Sequence, residues 1–141
     1  MIHYIVASHG RLCEELVLSS FMVFGNVDFV STVTFLPGEG PDDLREKYRN
    51  IIDALPPSTA VVFLADVWGG SPFNVAAMLT SADKRFSLVA GVNLMMLIEG
   101  YGFSTYDDAH VVATHLADAG LQSIKKLEVV VNEEELAEDE L

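Results

Sequence analysis

The sequence predicts an α/β fold in which an open parallel sheet carries helices on both faces. Three observations carry that expectation. Short, mostly apolar runs recur along the chain, as strands buried on both faces require. Between successive runs lie stretches whose apolar residues fall at helical spacing. Strands separated by helices pair in parallel through right-handed crossovers.

Residues 2–7 read as the first strand, ending at Ser8-His9-Gly10. From Leu12 the positions Leu12, Leu16, Phe21 and Phe24, with Cys13 and Val17, form a helical stripe that Gly25 stops. Residues 29–35 are β-branched and aromatic, a second strand. Pro37-Gly38-Glu39-Gly40 is a turn, and Pro41 with Asp42 and Asp43 opens a helix that reaches about residue 55, before Pro56-Pro57. Residues 60–66 make the third strand, followed by Gly69-Gly70, Ser71 as N-cap, Pro72 as first helical position, and a helical run over 73–82. Residues 86–90 are the fourth strand, 94–101 a methionine-rich helix, and Thr105 with Asp107 and Asp108 caps a helix through Ala119, closed by Gly120. Residues 127–131 read as a last strand. The simplest architecture is a flavodoxin-like sheet in the order 2-1-3-4 with that last strand at an edge. Residues 1–131 form one domain and 132–141 an acidic tail.

Composition excludes several function classes. A formal charge of −13 argues against nucleic acid and anionic membranes, both of which need basic patches. A single cysteine, Cys13, excludes an internal disulfide and fits a reducing compartment. No signal-peptide pattern opens the chain, and no apolar run reaches the roughly 18 residues of a membrane span. The expected location is the cytoplasm.

In open α/β sheets ligands bind beyond the carboxyl ends of the strands, where strand order reverses. For order 2-1-3-4 that point lies between the first and third strands. His9 leaves the first and Asp66 the third. Gly38 and Glu39, Trp68, and Asn93 of Gly91-Val92-Asn93 stand on the same rim. A carboxylate at Nδ1 fixes one imidazole tautomer and leaves Nε2 nucleophilic. A helix start after Gly69-Gly70-Ser71 supplies amides, a hydroxyl and a partial positive charge for a phosphoryl group. The parts suit a reversible phosphohistidine on His9, with no metal, since no second His or Cys stands at ligand spacing, and no cofactor. His3, His110, His115 and Cys13 read as structural or exposed positions, and Met95 and Met96 as core or crevice wall. Trp68 reads equally as packing, a partner anchor or a lid.

Ser8-His9-Gly10, Pro37-Gly38-Glu39, the string from Asp66 through Asn74 (Asp-Val-Trp-Gly-Gly-Ser-Pro-Phe-Asn) and Ala90-Gly91-Val92-Asn93 together resemble the IIA component of mannose-type sugar phosphotransferase systems. The resemblance covers about residues 1–121. It implies that the phosphocarrier protein HPr phosphorylates His9 and that the IIB component takes the group onward, towards sugar entering through the membrane IIC and IID components. It also implies that Asp66 orients His9, that Ser71 and nearby amides receive the phosphoryl oxygens, and that the chain is a homodimer whose last strand crosses to the partner. Val67 stands where some relatives carry a hydroxyl, and Glu14 and Glu15 where many carry small or apolar residues.

Four other readings differ in class. A regulatory phosphoacceptor would lack sugar transport, and no output domain is fused here. The phosphoryl-donor subunit of a dihydroxyacetone kinase shares the fold, yet its relatives lack the Trp-Gly-Gly-Ser-Pro-Phe-Asn string. A flavin or nucleotide binder needs a phosphate loop after the first strand, where this chain has His9-Gly10. A hydrolase using His9 and Asp66 would have to admit water.

Overall fold

The elements in chain order are β1 (Ile2–His9), α1 (Leu12–Phe24), β2 (Val30–Phe35), α2 (Pro41–Asp53), β3 (Ala60–Ala65), α3 (Ser71–Ala82), β4 (Phe86–Ala90), α4 (Leu94–Tyr101) and α5 (Ala109–Gln122), in a computed structural model that describes residues 1–129. The four strands pair in parallel in the predicted order β2-β1-β3-β4. The order reverses between β1 and β3, as the site argument requires.

Alternation along the central strands divides the core in two. Tyr4 and Val6 of β1, with Val62 and Leu64 of β3, face α1, α4 and α5 and pack with Cys13, Leu97 and Leu116. Ile5 and Ala7, with Val61 and Phe63, face α2 and α3 and pack with Leu44, Tyr48 and Val75. His9 shares the parity of Ile5 and Ala7. Its side chain therefore leaves the end of β1 on the face that α3 covers, which is what lets a helix start reach it.

Several boundaries differ from the sequence reading. Asp66 lies one residue beyond β3. The helix after the glycine turn begins at Ser71, with Gly70 as its N-cap and Pro72 as its second residue, so Ser71 is not the cap. Asp108, not Thr105, caps α5, its Oδ1 accepting the amides of His110 (2.9 Å) and Val111 (3.2 Å). α5 also runs through Gly120 to Gln122. A Cβ at Gly120 would stand 2.6 Å from Met96 Cε, so this glycine admits a close approach to α4 and does not stop the helix. Residues 124–129 carry no regular secondary structure, so among the described residues the Leu127 to Val129 part of the predicted last strand pairs with no strand. Val130, Val131 and the tail at 132–141 lie outside the described residues. Among the described residues no helix is long and apolar enough to cross a membrane.

His3 is buried in β1 and shares a hydrogen bond of 2.8 Å with Ser31 Oγ on β2. Burial lowers its pKa, with the charge of Asp28 acting weakly in the opposite direction. The folded chain thus binds this proton less readily than the unfolded chain, whose imidazole titrates near 6.5. The stability that neutral His3 supplies is present above that value and falls away as pH drops through it towards the lower folded pKa. Urea unfolding of the wild type and His3→Gln checks this: the gap between their midpoints narrows as pH falls from about 7.5 to about 5. A gap that widened would contradict the burial argument.

Candidate functional site

The β1–β3 pairing sets Ala7 opposite Ala65, and the Asp66 amide donates to the Ala7 carbonyl at 3.1 Å. The Asp66 side chain is thereby carried alongside Ser8 and His9. Oδ2 accepts the His9 amide at 2.8 Å and lies 2.9 Å from His9 Nδ1, and Oδ1 accepts the Val67 amide at 2.9 Å. An ionised carboxylate only accepts, so Nδ1 must carry the proton. Nε2 is left with its lone pair. The Asp66 side chain is 10% exposed and that of His9 49%, so a nearly buried anion orients a ring open to a partner. Gly10 leaves β1 at φ +60°, and its amide donates to the Phe35 carbonyl at 2.8 Å.

Across the crevice, Gly69 turns the chain at φ +79° and Gly70 begins α3. The Gly70 amide donates to the Val67 carbonyl at 3.1 Å, so it is already engaged within the turn. Gly70 matters here through its missing side chain. A Cβ there would stand 2.8 Å from His9 Cε1 and 3.5 Å from Nε2. That contact puts the nucleophilic edge of the imidazole against the start of α3. Among the described residues, neither the Ser71 amide nor its hydroxyl has a hydrogen-bond partner. Pro72 has no amide proton, so the donors left at this helix start are the Ser71 amide and hydroxyl, to which the sequence pointed, and the Phe73 amide, reinforced by the helix dipole.

Two residues that sequence reasoning missed hold this arrangement. The buried Tyr48 hydroxyl of α2 donates to the Pro72 carbonyl at 2.8 Å, pinning the first turn of α3. Burial, with the charge of Asp66 adding to it, raises the phenol pKa far above its ordinary value, so it stays a donor. The Phe35 ring packs against the imidazole at 5.8 Å between centroids and 84° between planes. Nothing in the sequence reports that Tyr48 reaches the Pro72 carbonyl or that Phe35 stands opposite His9.

The rim residues divide. Glu39 accepts from the Leu36 amide (2.7 Å) and from Lys47 Nζ (2.8 Å), closing the turn in which Gly38 has φ +86°. These bonds hold the Glu39 carboxyl below its usual range, Lys47 contributing most. Asn93 is a helix cap: Oδ1 accepts the Met96 amide at 2.9 Å and Nδ2 donates to the Gly120 carbonyl at 3.2 Å. Trp68 is 79% exposed, packs on Phe73 at 4.6 Å, and lines a trough of about 440 Å³ beside β4 with Val89, His110 and Thr114. His110 is exposed on α5, whereas His115 stacks on Phe103 at 5.1 Å. Met96 is core and Met95 half-exposed. Among the described residues no three His, Cys, Asp or Glu side chains cluster as a metal site.

The sequence model of the EIIA-man family, described as "PTS system fructose IIA component", matches residues 3–116. The chain belongs to this family. It is 40% identical over 99 residues to the fructose-specific EIIA component of the phosphotransferase system of Bacillus subtilis (strain 168), covering 70% of this chain and 68% of that protein. It is 31% identical over 125 residues to the mannose-specific EIIAB component of Escherichia coli (strain K12), covering 86% of this chain. The matched part spans only 39% of that two-part relative. Among solved structures it resembles the mannose/sorbose-specific IIA subunit from Enterococcus faecalis, with TM-score 0.82, 28% identity, and coverage of 91% of this chain and 96% of the other. IIA components are phosphotransferases as a family, and a fixed imidazole facing a free helix start is an arrangement that suits phosphoryl chemistry.

Gly70 has φ −73° and ψ 167°, a conformation open to any residue. Gly70→Ala therefore leaves folding stability unchanged or raises it by about 0.5 kcal/mol. The new methyl displaces the ring, so the His9 side-chain resonances in a ¹H–¹⁵N spectrum move. Unmoved resonances would mean that Gly70 does not confine the imidazole.

Proposed function

We propose that this IIA chain is a phosphohistidine carrier of a phosphoenolpyruvate-dependent sugar phosphotransferase system. His9 Nε2 accepts a phosphoryl group from HPr and passes it to the IIB component, which serves sugar uptake through membrane IIC and IID components. The observation that carries this reading is the Asp66-fixed imidazole whose Nε2 edge faces the start of α3.

In the transfer, the Nε2 lone pair forms the N–P bond while the bond from phosphorus to the donor atom breaks, its electron pair staying with the donor. No proton moves at Nε2, because that nitrogen carries none. Nδ1–H stays hydrogen-bonded to Asp66, whose charge offsets the positive charge that the ring gains. The phosphoryl oxygens meet the Ser71 amide and hydroxyl and the positive end of α3, which steady charge in a loose, in-line transition state. Gly69 and Gly70 shape the turn that leaves room for this. Transfer to IIB is the same step in reverse.

The homodimer belongs to the same proposal. β4 is one of the two outer strands of the sheet, a trough runs beside it, and the exposed Leu127 and Val129 precede the apolar residues Val130 and Val131 in sequence. A bare apolar edge invites pairing with a strand of another copy. In this reading residues 1–131 are the carrier domain, residues 132–141 a solvated acidic tail, and the complex works in the cytoplasm.

Incubation with Enzyme I, HPr and phosphoenolpyruvate, followed by intact mass and peptide mapping, places one phosphoryl group on His9. His9→Ala accepts none. Asp66→Asn still folds but accepts phosphate at least about 100-fold more slowly, since the tautomer is no longer imposed by an anion. Modification of another residue, or a normal rate in Asp66→Asn, would overturn the assignment.

A further inference from the structure

A hydrogen bond at Nδ1 fixes one atom of the His9 ring and leaves its plane undetermined. The ring can swing about the Nδ1–Asp66 axis, and rotation about Cβ–Cγ, an sp³–sp² torsion, is broad. A half-turn about that bond would present Cδ2 to Asp66, deprive Nδ1 of its acceptor and exchange the places of Cε1 and Nε2 against Gly70. Something besides Asp66 must restrict this motion, because the ring is only half-covered. Gly70 lies along the Cε1–Nε2 edge. Phe35 is set perpendicular to the imidazole.

We propose that Phe35 is a positioning residue for His9: its ring is the wall that holds the imidazole plane, so that Nε2 stays aimed at Ser71. Phe35 is itself well fixed for this. It is the last residue of β2, in parallel register directly opposite His9, so the two side chains leave the sheet on the same face. Its carbonyl accepts the Gly10 amide, tying the chain that follows His9 back to β2. Its ring also packs partly against the core that contains Leu44 and Tyr48. Phe35 thus joins the imidazole to the sheet on the side opposite β3, and the ring is confined between two neighbouring strands and a helix start. The kinetic part of the proposal rests on the carrier role of His9, whereas the orientation of the ring does not.

The test has a spectroscopic and a kinetic arm. Long-range ¹H–¹⁵N spectra of unphosphorylated wild type show His9 as the Nδ1–H tautomer, with a slowly exchanging, hydrogen-bonded Nδ1 proton. Phe35→Leu keeps an apolar side chain but removes the flat wall. In it the Nδ1 proton exchanges faster with water and a population of the other tautomer appears. Phosphorylation by Enzyme I, HPr and phosphoenolpyruvate slows by about tenfold at saturating HPr, with the half-saturating HPr concentration changed less than about twofold. Phe35→Tyr, which keeps the ring, restores both signals. Phe35→Met serves as the second apolar variant should Phe35→Leu fail to fold. Wild-type exchange, tautomer and rate in a folded Leu or Met variant would overturn the proposal, as would a Tyr variant as impaired as Leu. A wild type never phosphorylated on His9 would defeat the carrier role and leave the spectroscopic arm to decide on Phe35.

Discussion

The carboxylate of Asp66 is the constraint on which the site depends. One oxygen accepts from both the amide and the ring nitrogen of His9, and the other accepts the amide of Val67, the next residue. The backbone turn at the end of β1 and the tautomer of the His9 ring are therefore set by one anion. Hydrogen bonds to an ionised group are worth roughly twice neutral ones, and the low exposure of Asp66 strengthens them further. A nearly buried carboxylate with unmet acceptor capacity would be costly, so these donors also explain why the anion is tolerated there. Fold and chemistry meet in that atom: the bonds that satisfy Asp66 are the ones that leave Nε2 free.

The sheet order supplies the geometry the carboxylate needs. Because β1 and β3 are neighbours, with α1 leaving to one face and α3 to the other, their carboxyl ends open a crevice that no crossover fills. Residue parity then decides which helix meets the imidazole. His9 lies on the α2–α3 face, so the start of α3 receives it, and Tyr48 of α2 holds that start in place through the Pro72 carbonyl. A shift of one residue in the β1 register would turn His9 towards α1 and dissolve the site.

Much of this was legible in the sequence because it depends on local rules. Apolar runs separated by helical stripes are strong signals, and they placed all four strands within a residue or two. His9 and Asp66 were legible because strand termini at an order reversal are where α/β sheets bind. The failures share a cause. Gly120 looked like a stop and proved to be a contact with Met96, since a glycine reads alike whether backbone turns or a neighbour approaches. Ser71 looked like a cap because Ser-Pro suits one, yet the tight turn through Val67 and Gly70 starts the helix one residue earlier. Phe35 and Tyr48 were invisible as site residues because their roles come from strand register and helix packing, neither of which local pattern encodes.

The charges around the crevice bear on why such a site would carry phosphate without keeping it. Two basic side chains, Arg11 just after β1 and Lys47 on α2, are already paired, with Glu14 at 3.2 Å and Glu39 at 2.8 Å. What the Nε2 edge lies against is the start of α3 at Gly70, which, among the described residues, offers unpaired amides and a partial charge and no cation. Full cations would hold a doubly charged phosphoryl group more strongly than these dipoles do, most of all in a site shielded from water. A carrier must bind its cargo about equally well before and after each transfer, so strong ground-state binding would slow the second step as much as it helped the first. Dipoles fixed in place lower the barrier in both directions while leaving the two bound states close in energy. On the proposed role, the engagement of Lys47 by Glu39 and the Thr34 carbonyl is then consistent with the chemistry as well as the turn: that ammonium is committed to β2 and its loop.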